Sequence, residues 1–451
     1  MSLTSRNLVQ TDVNTKFAKF SLMSWPVRST ATVAAVLLAA LMAFWRMPPT
    51  SRDVIWAEDG AIFLQDAMAR KGILDIFSPY AGYLHVLPRF AAKSVVRFFA
   101  VDDYALALNF LSCVVVGVVA YLVFHCSKAI TSNVYARLGW ASITILVAPA
   151  PWETLGNFAN IHSYLLWLTP WLLLKPAKSK LEGVLFFFTA TLLSLTEIVA
   201  VLFVPMFAIS FKDRRLWPAR IGLLVGLAAQ ILTTMSHPRA PSSTYPLDFA
   251  SITMGWFLNS SSALIYGSSS QISANIGNYG FWPPLLAAIP FAAALAYILL
   301  KGNRQKRLVA LVLLLGSTAV WGATLVLNFY KFFDYASYDA EQWKSFLLTR
   351  YSTVPSMFLL ALIPLAALCD TSKRRTISVA ILSAFVVLQC VYFFPASSLR
   401  NHGPDWSDGV AVARTACIIE PSIPFQPVFI APAHWLAGGV KVPCSLMVPA
   451  P

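Results

Sequence analysis

Long apolar runs recur along nearly the whole chain and constrain its fold more than any other feature. About 20 apolar residues in a helix cross the hydrocarbon core of a bilayer. Candidate spans lie at 30–47, 104–126, 136–151, 160–174, 217–235, 282–300, 308–330, 350–368 and 376–394. With 57% hydrophobic and only 12% charged residues, the 451-residue chain lies outside the range of soluble globular proteins. We therefore expect an all-α polytopic membrane protein whose first run is a retained span.

One further apolar run, 183–211, is too long for a single span and carries Glu197 near its middle. Basic clusters flank it on both sides, namely Lys175, Lys178 and Lys180 before it and Lys212, Arg214 and Arg215 after it. Because positive residues concentrate in cytoplasmic loops, both clusters should lie in the cytoplasm. A short helical hairpin that turns near Glu197 satisfies this rule, provided that its turn is buried in protein or lines a cleft.

The charge distribution predicts an orientation. Counting the hairpin as two segments gives about eleven, with the N-terminus cytoplasmic and the C-terminus outside. Cytoplasmic segments then hold 20 of the 34 Lys and Arg residues and four of the 20 Asp and Glu residues, so they carry +16 and the remainder −2. The net charge of +14 arises from basic residues that lie between apolar runs. They form no basic stripe of the kind that binds nucleic acid. No P-loop or G-x-G-x-x-G motif is present, which argues against ATP-driven transport by this chain.

This layout divides the chain into a membrane body, residues 1–394, and a small outside tail, residues 395–451. The body has three substantial outside loops, at 48–103, 237–281 and 330–349. Loops of this length usually carry function or short helices of their own. The candidate functional residues are therefore expected on the outer face.

The first outside loop carries two adjacent carboxylates, Glu58 and Asp59. Neighbours on a helix do not face the same way, so the two are expected to have separate tasks. One could be a general base in an apolar cleft, and the other could orient a substrate, bind a metal or cap the next helix. The simpler alternative is ordinary helix capping by Asp59. The residues alone do not decide which carboxylate would be the base.

Basic residues follow in the same loop. His85 and Arg89 lie beside a turn rich in Pro and Gly, and Arg89, Lys93 and Arg97 share one helix face. Such a row could hold a lipid phosphate, or it could belong to an interfacial helix whose basic side chains reach the head groups. Arg350, at the outer start of a span, also suits an anionic leaving group because its guanidinium is preorganised for phosphate.

Further polar residues lie where apolar helices meet the outer face. They are Glu153, Asn157, Asn160 and His162, at nearly helical spacing. Sugar hydroxyls need paired donors and acceptors of this kind, and the alternative is hydrogen bonding between helices. Glu197 is a functional candidate because ionisable groups are costly in lipid, although it could instead pair with Arg350. Tyr351 and the aromatic residues before it suit sugar stacking or an interfacial belt.

Several motifs together resemble the GT-C superfamily of polytopic glycosyltransferases. They are W-A-E-D-G at 56–60, P-Y-A-G-Y-L-H-x-L-P-R at 79–89, E-x-x-x-N-x-x-N-x-H at 153–162, the pair Arg350-Tyr351, G-P-D-W at 403–406 and P-A-H-W at 432–435. The chain looks most similar to bacterial members that modify O-antigen or other envelope glycans. The resemblance implies a multi-pass protein of the bacterial inner membrane whose active site faces the periplasm.

The reaction implied by the resemblance is direct displacement. Asp59 or Glu58 would take a proton from an acceptor hydroxyl, and polyprenyl phosphate would leave the donor sugar. The leaving phosphate would be bound by Arg89, His85, Arg350 and Lys93. The acceptor and the sugar would be bound by Glu153, Asn157, Asn160, His162, Glu197 and Tyr351. The partners would be the polyprenyl-phosphate sugar, a glycan or glycolipid acceptor and the bilayer.

The resemblance also bears on cofactors and on the tail. No cofactor is required, and a divalent cation would be compatible although no ligand set demands one. Cys417 and Cys444 would staple the outside tail by a disulfide worth roughly 3 kcal/mol. In the alternative, the tail is partly free and the thiols stay reduced.

Two other functions share this topology. A transporter or flippase of a lipid-linked sugar would be favoured by an internal repeat, and the sequence shows none. Another envelope polymer transferase, such as a polymerase, ligase or acyl transferase, would use similar donors with different partners. A purely structural membrane protein would explain neither the outer polar clusters nor Glu197.

Overall fold

The computed structural model describes residues 25–70, 72–239, 245–370, 376–395, 397–433 and 435–448. It is 73% helix and 3% strand, which confirms the predicted all-α class. Several residues named or counted in the prediction of topology and site lie outside the described residues, namely Arg6, Asp12, Lys16, Lys19, Lys71, Lys373, Arg374, Arg375 and His434.

The body is built from helices that coincide with the apolar runs. In chain order they are α1 (Trp25–Arg46), α2 (Tyr104–Cys126), α3 (Val134–Leu146), α4 (His162–Leu174), α5 (Lys180–Ser194), α6 (Trp217–Ser236), α7 (Trp282–Lys301), α8 (Arg304–Asn328), α9 (Thr353–Leu360) and α10 (Thr376–Val391). A 3-10 helix, Ile198–Ala208, lies between α5 and α6, and Leu362–Ala367 extends α9.

In the part of the chain that the structure describes, five helical stretches are long and apolar enough to cross a membrane. They are Val101–Ala129, Arg214–Ser236, Trp282–Lys301, Arg304–Asn328 and Arg350–Ala367. The other expected spans correspond to shorter helices, of which Thr30–Arg46, Ile198–Ala208 and Thr376–Val391 are apolar. The chain is therefore a helical protein with membrane-spanning character, in agreement with the coarse prediction.

Short elements fill the connecting segments. The first loop holds a π-helix (Asp59–Leu64), helix Gln65–Ala69, an antiparallel pair β1 (Pro79–Tyr80) and β2 (Tyr83–Leu84), and helix Val86–Phe98. Later loops hold Ala150–Glu153, Phe249–Trp256, a π-helix (Phe257–Ser262), Ala263–Tyr266, Ser269–Tyr279 and Ala340–Lys344. The tail holds helix Trp406–Ile419, antiparallel strands β3 (Phe425–Val428) and β4 (Val440–Pro443), and helix Cys444–Met447.

The segment 180–208 turns back on itself at Glu197. Helix α5 runs parallel to α6, because Gly222 lies against the Phe187 carbonyl and Gly226 against Ser194. The end of the 3-10 helix returns to the start of α6, where Arg220 donates to the Phe207 carbonyl at 3.0 Å. The two ends of this segment therefore lie together at the start of α6, and the turn lies farther along α6, just past Gly226 near the middle of that helix.

The body has two distinct ends, where its helices begin and finish. At one, which we call the basic end, Lys175 lies 3.4 Å from Glu182, and Gln305 donates to the Ala129 carbonyl at 3.0 Å. Both basic clusters that flank the 183–211 run lie at this end, since the Ala177 N–H donates to the Arg215 carbonyl at 3.0 Å. The first loop, the hairpin turn and the tail lie at the opposite end.

The tail packs closely on the first loop. The Ala57 N–H donates to the Ala431 carbonyl at 2.6 Å, and the Trp406 N–H donates to the Asp53 carbonyl at 2.7 Å. Cys417 and Cys444 form a disulfide with their Cα atoms 5.7 Å apart. The first loop and the tail are thus one packed unit above the body.

Candidate active site

A cavity of about 260 Å³ lies at the end of the body opposite the basic end. Its walls come from the first loop, the start of α4, the hairpin turn, the last turns of α8 and the start of α9. Six residues expected from the sequence line it, namely Glu58, His85, His162, Glu197, Arg350 and Tyr351. The tertiary structure thus brings together groups from five separate parts of the chain.

The two adjacent carboxylates have different surroundings. Ala57 adopts a positive φ of 38°, and a π-helix begins at Asp59, so the backbone turns sharply at this pair. Glu58 lines the cavity, whereas Asp59 is 2% exposed and is not among the lining residues. The Asp59 Oδ2 atom accepts the Phe158 N–H at 2.8 Å. The geometry therefore favours Glu58 as the group that can meet a substrate.

Asp59 supports the wall behind Glu58. Burial raises the pKa of the Asp59 carboxyl to about 7, although the Phe158 N–H and the Arg400 guanidinium act in the opposite direction. Its bond to Phe158 fixes the turn that precedes α4. Asp59 is consequently a positioning residue in this geometry.

Arg350 lies between two carboxylates. Its Nη1 atom is 3.3 Å from Glu58 Oε1 and 3.9 Å from Glu153 Oε1, and its backbone N–H donates to Glu153 Oε2 at 2.8 Å. The guanidinium also lies 5.5 Å from the Tyr351 ring centroid. Arg350 therefore orients Glu58 and has much of its charge balanced within the protein.

Glu197 and His162 form a separate polar pair in the cavity wall. His162 Nδ1 lies 4.0 Å from Glu197 Oε2, while Glu197 Oε1 accepts the Val199 N–H at 2.7 Å and caps the 3-10 helix. The alternative pairing of Glu197 with Arg350 is not found among the described residues, because Arg350 is occupied by Glu58 and Glu153. The pair offers donor and acceptor groups to sugar hydroxyls.

His85 sits among aromatic rings. Its ring centroid lies 4.1 Å from that of Tyr83 and 5.5 Å from those of Phe63 and Tyr80. Burial lowers the pKa of His85 to about 3, so the imidazole is neutral at physiological pH. It can give a phosphate or hydroxyl a hydrogen bond but no positive charge. Its Nε2 atom has no hydrogen-bond partner within the described ranges.

Two expected phosphate-binding residues lie away from the cavity. Arg89 Nη1 is 2.8 Å from Asp66 Oδ2, and Lys93 Nζ is 3.3 Å from Asp75 Oδ2. These ion pairs join helix Val86–Phe98 to the segment before it. Neither basic residue is among the cavity-lining residues, so the structure does not place them with Glu58.

The polar residues before α4 mainly shape a buried turn. The Asn157 Nδ2 donates to the Glu153 carbonyl at 2.5 Å, and Asn157 Oδ1 accepts the Asn160 N–H at 2.9 Å. Burial raises the pKa of the Glu153 carboxyl above its ordinary value, with Arg350 acting against this. Glu153, Asn157 and Asn160 are not among the cavity-lining residues. They hold the chain that presents His162.

Several residues of the site were missed by sequence reasoning. Tyr80, Tyr83, Arg239 and Asn328 line the cavity or its mouth. The two tyrosines belong to the quoted 79–89 motif, whereas Arg239 and Asn328 have no local signal. Arg400 is also new: it is 1% exposed and donates to Asn109 Oδ1 at 3.2 Å and to the Gly156 carbonyl at 3.0 Å.

Arg400 connects the tail to the turn behind the cavity. It also donates to the Leu155 carbonyl, so its guanidinium holds two successive carbonyls of the turn before Phe158. Burial lowers the pKa of Arg400 to about 10, so it remains charged at neutral pH. Its charge also acts on Asp59. The tail thus contributes directly to the support of the carboxylate pair.

The described ranges contain no group of three or more His, Cys, Asp or Glu residues that could hold a metal ion. The site instead combines carboxylates, guanidinium groups, imidazoles and tyrosines. This set can bind hydroxyl groups and anions, and Glu58 can accept a proton. No family model, curated protein or solved structure matches the chain.

Proposed function

We propose that this chain is a membrane glycosyltransferase. It moves a sugar from a polyprenyl-phosphate donor to a hydroxyl of an envelope glycan or glycolipid. The observation that carries this proposal is the cavity at one end of an apolar helical body, in which Glu58 is held by Arg350 beside the His162–Glu197 pair. A base, hydroxyl-binding groups and access from lipid are the features that such a transfer needs.

The proposed topology has eleven membrane segments in the bacterial inner membrane, with the N-terminus in the cytoplasm and the C-terminus in the periplasm. Its support is the separation of the two ends of the body. The basic clusters lie at the end that the positive-inside rule assigns to the cytoplasm. The tail with its disulfide lies at the other end, as expected for an oxidising compartment.

The proposed mechanism uses Glu58 as the general base. The Glu58 carboxylate accepts the proton of the acceptor hydroxyl while that oxygen forms a bond to the anomeric carbon. The bond from the anomeric carbon to the phosphate oxygen breaks, and its electron pair leaves with the lipid phosphate. Arg350 holds Glu58 in position, and Asp59 supports the backbone behind it.

The remaining walls suit a sugar. Phe63, Tyr80 and Tyr83 present aromatic rings, which can pack against the apolar face of a pyranose. His162, Ser163 and Glu197 provide hydrogen-bonding groups on another wall. The cavity volume is of the size needed for one sugar unit rather than for a long glycan, so the rest of the acceptor would remain outside.

The test is turnover of lipid-linked sugars by the full-length protein in lipid nanodiscs. A panel of polyprenyl-phosphate sugars would be offered with envelope glycan, and released lipid phosphate would be measured. We expect Glu58→Gln to lower kcat by about 10²–10⁴-fold, since it removes a general base. Glu341→Gln is the matched control, because Glu341 is an exposed carboxylate outside the cavity.

Two outcomes would contradict the proposal. If wild-type protein consumes no donor in the panel, the transferase function fails. If a donor crosses the bilayer intact in proteoliposomes, a flippase function replaces it. Full activity of Glu58→Gln in a wild type that turns over would instead reject only the assignment of the base.

A further inference from the structure

The cavity carries two guanidinium groups whose charges are balanced differently. Arg350 lies beside Glu58 and Glu153. Arg239 donates from Nη2 to the neutral Asn328 Oδ1 at 3.0 Å, and no carboxylate in the described ranges lies within 4.0 Å of it. The adjoining residues 240–244 contain no Asp or Glu. Arg239 therefore brings an uncompensated positive charge to the cavity.

The other basic groups near the site are already used. Arg89 and Lys93 are paired with Asp66 and Asp75 away from the cavity. His85 is neutral at physiological pH because burial lowers its pKa to about 3. His162 in the cavity wall lies beside Glu197. Among the described residues, an anion that enters the cavity therefore meets Arg239 as the cation without a carboxylate neighbour.

Arg239 is brought to the cavity by a close backbone approach. Gly82, in the turn between β1 and β2, adopts a positive φ of 86°. A Cβ atom at this position would lie only 2.9 Å from both the backbone nitrogen and the Cβ of Arg239. The absence of a side chain at Gly82 thus allows residue 239 to lie against the turn, and the Arg239 charge acts on neighbouring Tyr80.

A helix face that carries two apolar residues, Val320 and Leu327, begins beside Arg239. Val320, Thr324, Leu327 and Asn328 of α8 line the cavity, and their spacing of four, three and one places them on one side of the helix. Helix α8 is among those long enough to cross a membrane. Leu327 is 56% exposed whereas Val320 is 3% exposed, so this face opens towards the surroundings of the body at its Leu327 end, next to Arg239. A cation at the end of an apolar helix face matches an amphiphile with an anionic head.

We propose that Arg239 binds the phosphate of the donor lipid and that the α8 face receives its first isoprenoid units. This assignment rests on the proposed transferase function and moves the phosphate away from Arg89 and Lys93. A guanidinium binds phosphate through two parallel hydrogen bonds, and Asn328 limits its orientation. The donor sugar then lies in the cavity that Glu58 also lines.

The experiment measures ligand binding, so that it does not depend on turnover. Full-length protein in phosphatidylcholine nanodiscs would be titrated with farnesyl phosphate, farnesol and inorganic phosphate. We expect Arg239→Gln to raise the Kd for farnesyl phosphate at least tenfold and Arg239→Lys to raise it less. Farnesol binding should not change. Lys331→Gln is the control, because Lys331 is an exposed cation at the same end and does not line the cavity.

The outcomes separate this inference from the transferase function. Wild-type-like binding of farnesyl phosphate by Arg239→Gln would overturn it, as would an equal loss of farnesol binding or no binding of farnesyl phosphate by the wild type. If inorganic phosphate alone binds as tightly as farnesyl phosphate, the site is for free phosphate and the lipid assignment falls. Arg239-dependent binding of the lipid phosphate without turnover of any donor would support the site and contradict the transferase.

Discussion

Glu58 and Asp59 show how one backbone turn can give neighbouring residues of the same chemistry different roles. The left-handed Ala57 and the π-helical turn direct Glu58 to the cavity and Asp59 into the protein. The tail stabilises this turn, because the Ala431 carbonyl accepts the Ala57 N–H. The local sequence shows the pair but not the two directions, because Phe158 and Ala431, which hold the turn, lie in distant parts of the chain.

The raised pKa of Asp59 gives a prediction at this scale. A shift from the ordinary 3.8 to about 7 corresponds to about 4 kcal/mol. Below pH 4 the carboxyl is protonated in both states. As the pH rises from 4 to 7, Asp59 ionises in the unfolded chain but keeps its proton in the folded chain. The free energy of unfolding therefore falls across this range, and it does not recover above pH 7.

Asp59→Asn has no proton to lose, and its amide oxygen can still accept the Phe158 N–H. We therefore expect its stability relative to wild type to increase between pH 5 and pH 8, as measured by the Tm of the purified proteins. Asp408→Asn, which changes an exposed carboxylate, should show no such trend. A pH-independent difference between Asp59→Asn and wild type would contradict the raised pKa.

At the scale of elements, the close packing of α5 on α6 fixes the hairpin. A Cβ atom on Gly222 would lie 2.2 Å from the Phe187 carbonyl oxygen, and one on Gly226 would lie 2.1 Å from Ser194 Oγ. Small residues let membrane helices approach closely, where packing and interhelical polar contacts replace the hydrophobic effect. The α5–α6 contact thereby fixes the position of Glu197 in the cavity wall.

Gly222→Ala should therefore destabilise the protein by about 1–3 kcal/mol, because backbone atoms have to move apart. The matched control is Gly322→Ala in α8, where an added Cβ meets no atom within 4 Å. Thermal unfolding in the same detergent would compare the two variants with wild type. Equal Tm values for Gly222→Ala and Gly322→Ala would show that the α5–α6 contact leaves room for an added methyl group at Gly222.

At the scale of the whole molecule, the site joins a helical body to a cap made of the first loop and the tail. The cap carries Glu58 and the aromatic wall, while the body supplies Arg350, Glu197 and the α8 face. Within the cap, the Ala57–Ala431 bond joins the tail to the first loop, while Arg400 joins the tail to the turn before α4 in the body. Catalytic geometry in the proposed function thus depends on the docking of all three parts.

The proposed orientation predicts which end of the body faces the periplasm. In a Cys390→Ser background, Ser270→Cys should react with a membrane-impermeant maleimide in intact spheroplasts, because exposed Ser270 lies at the end with the cavity. Exposed Lys178→Cys, at the basic end, should react only after permeabilisation. The reverse pattern would invert the topology and place the cavity in the cytoplasm.

The sequence by itself determined the helical class, the approximate bounds of the body helices and the position of the hairpin turn. The helical class, the helix bounds and the turn position depend on the length and polarity of local runs, which can be read from the sequence. It also identified the carboxylate pair and six residues of the cavity. The tertiary structure decided which carboxylate faces the cavity, that Arg89 and Lys93 pair elsewhere, and that Arg239 and Arg400 join the site. Glu58 and Arg350 are 292 positions apart, and no local pattern encodes a contact that arises only when distant helices and loops pack together.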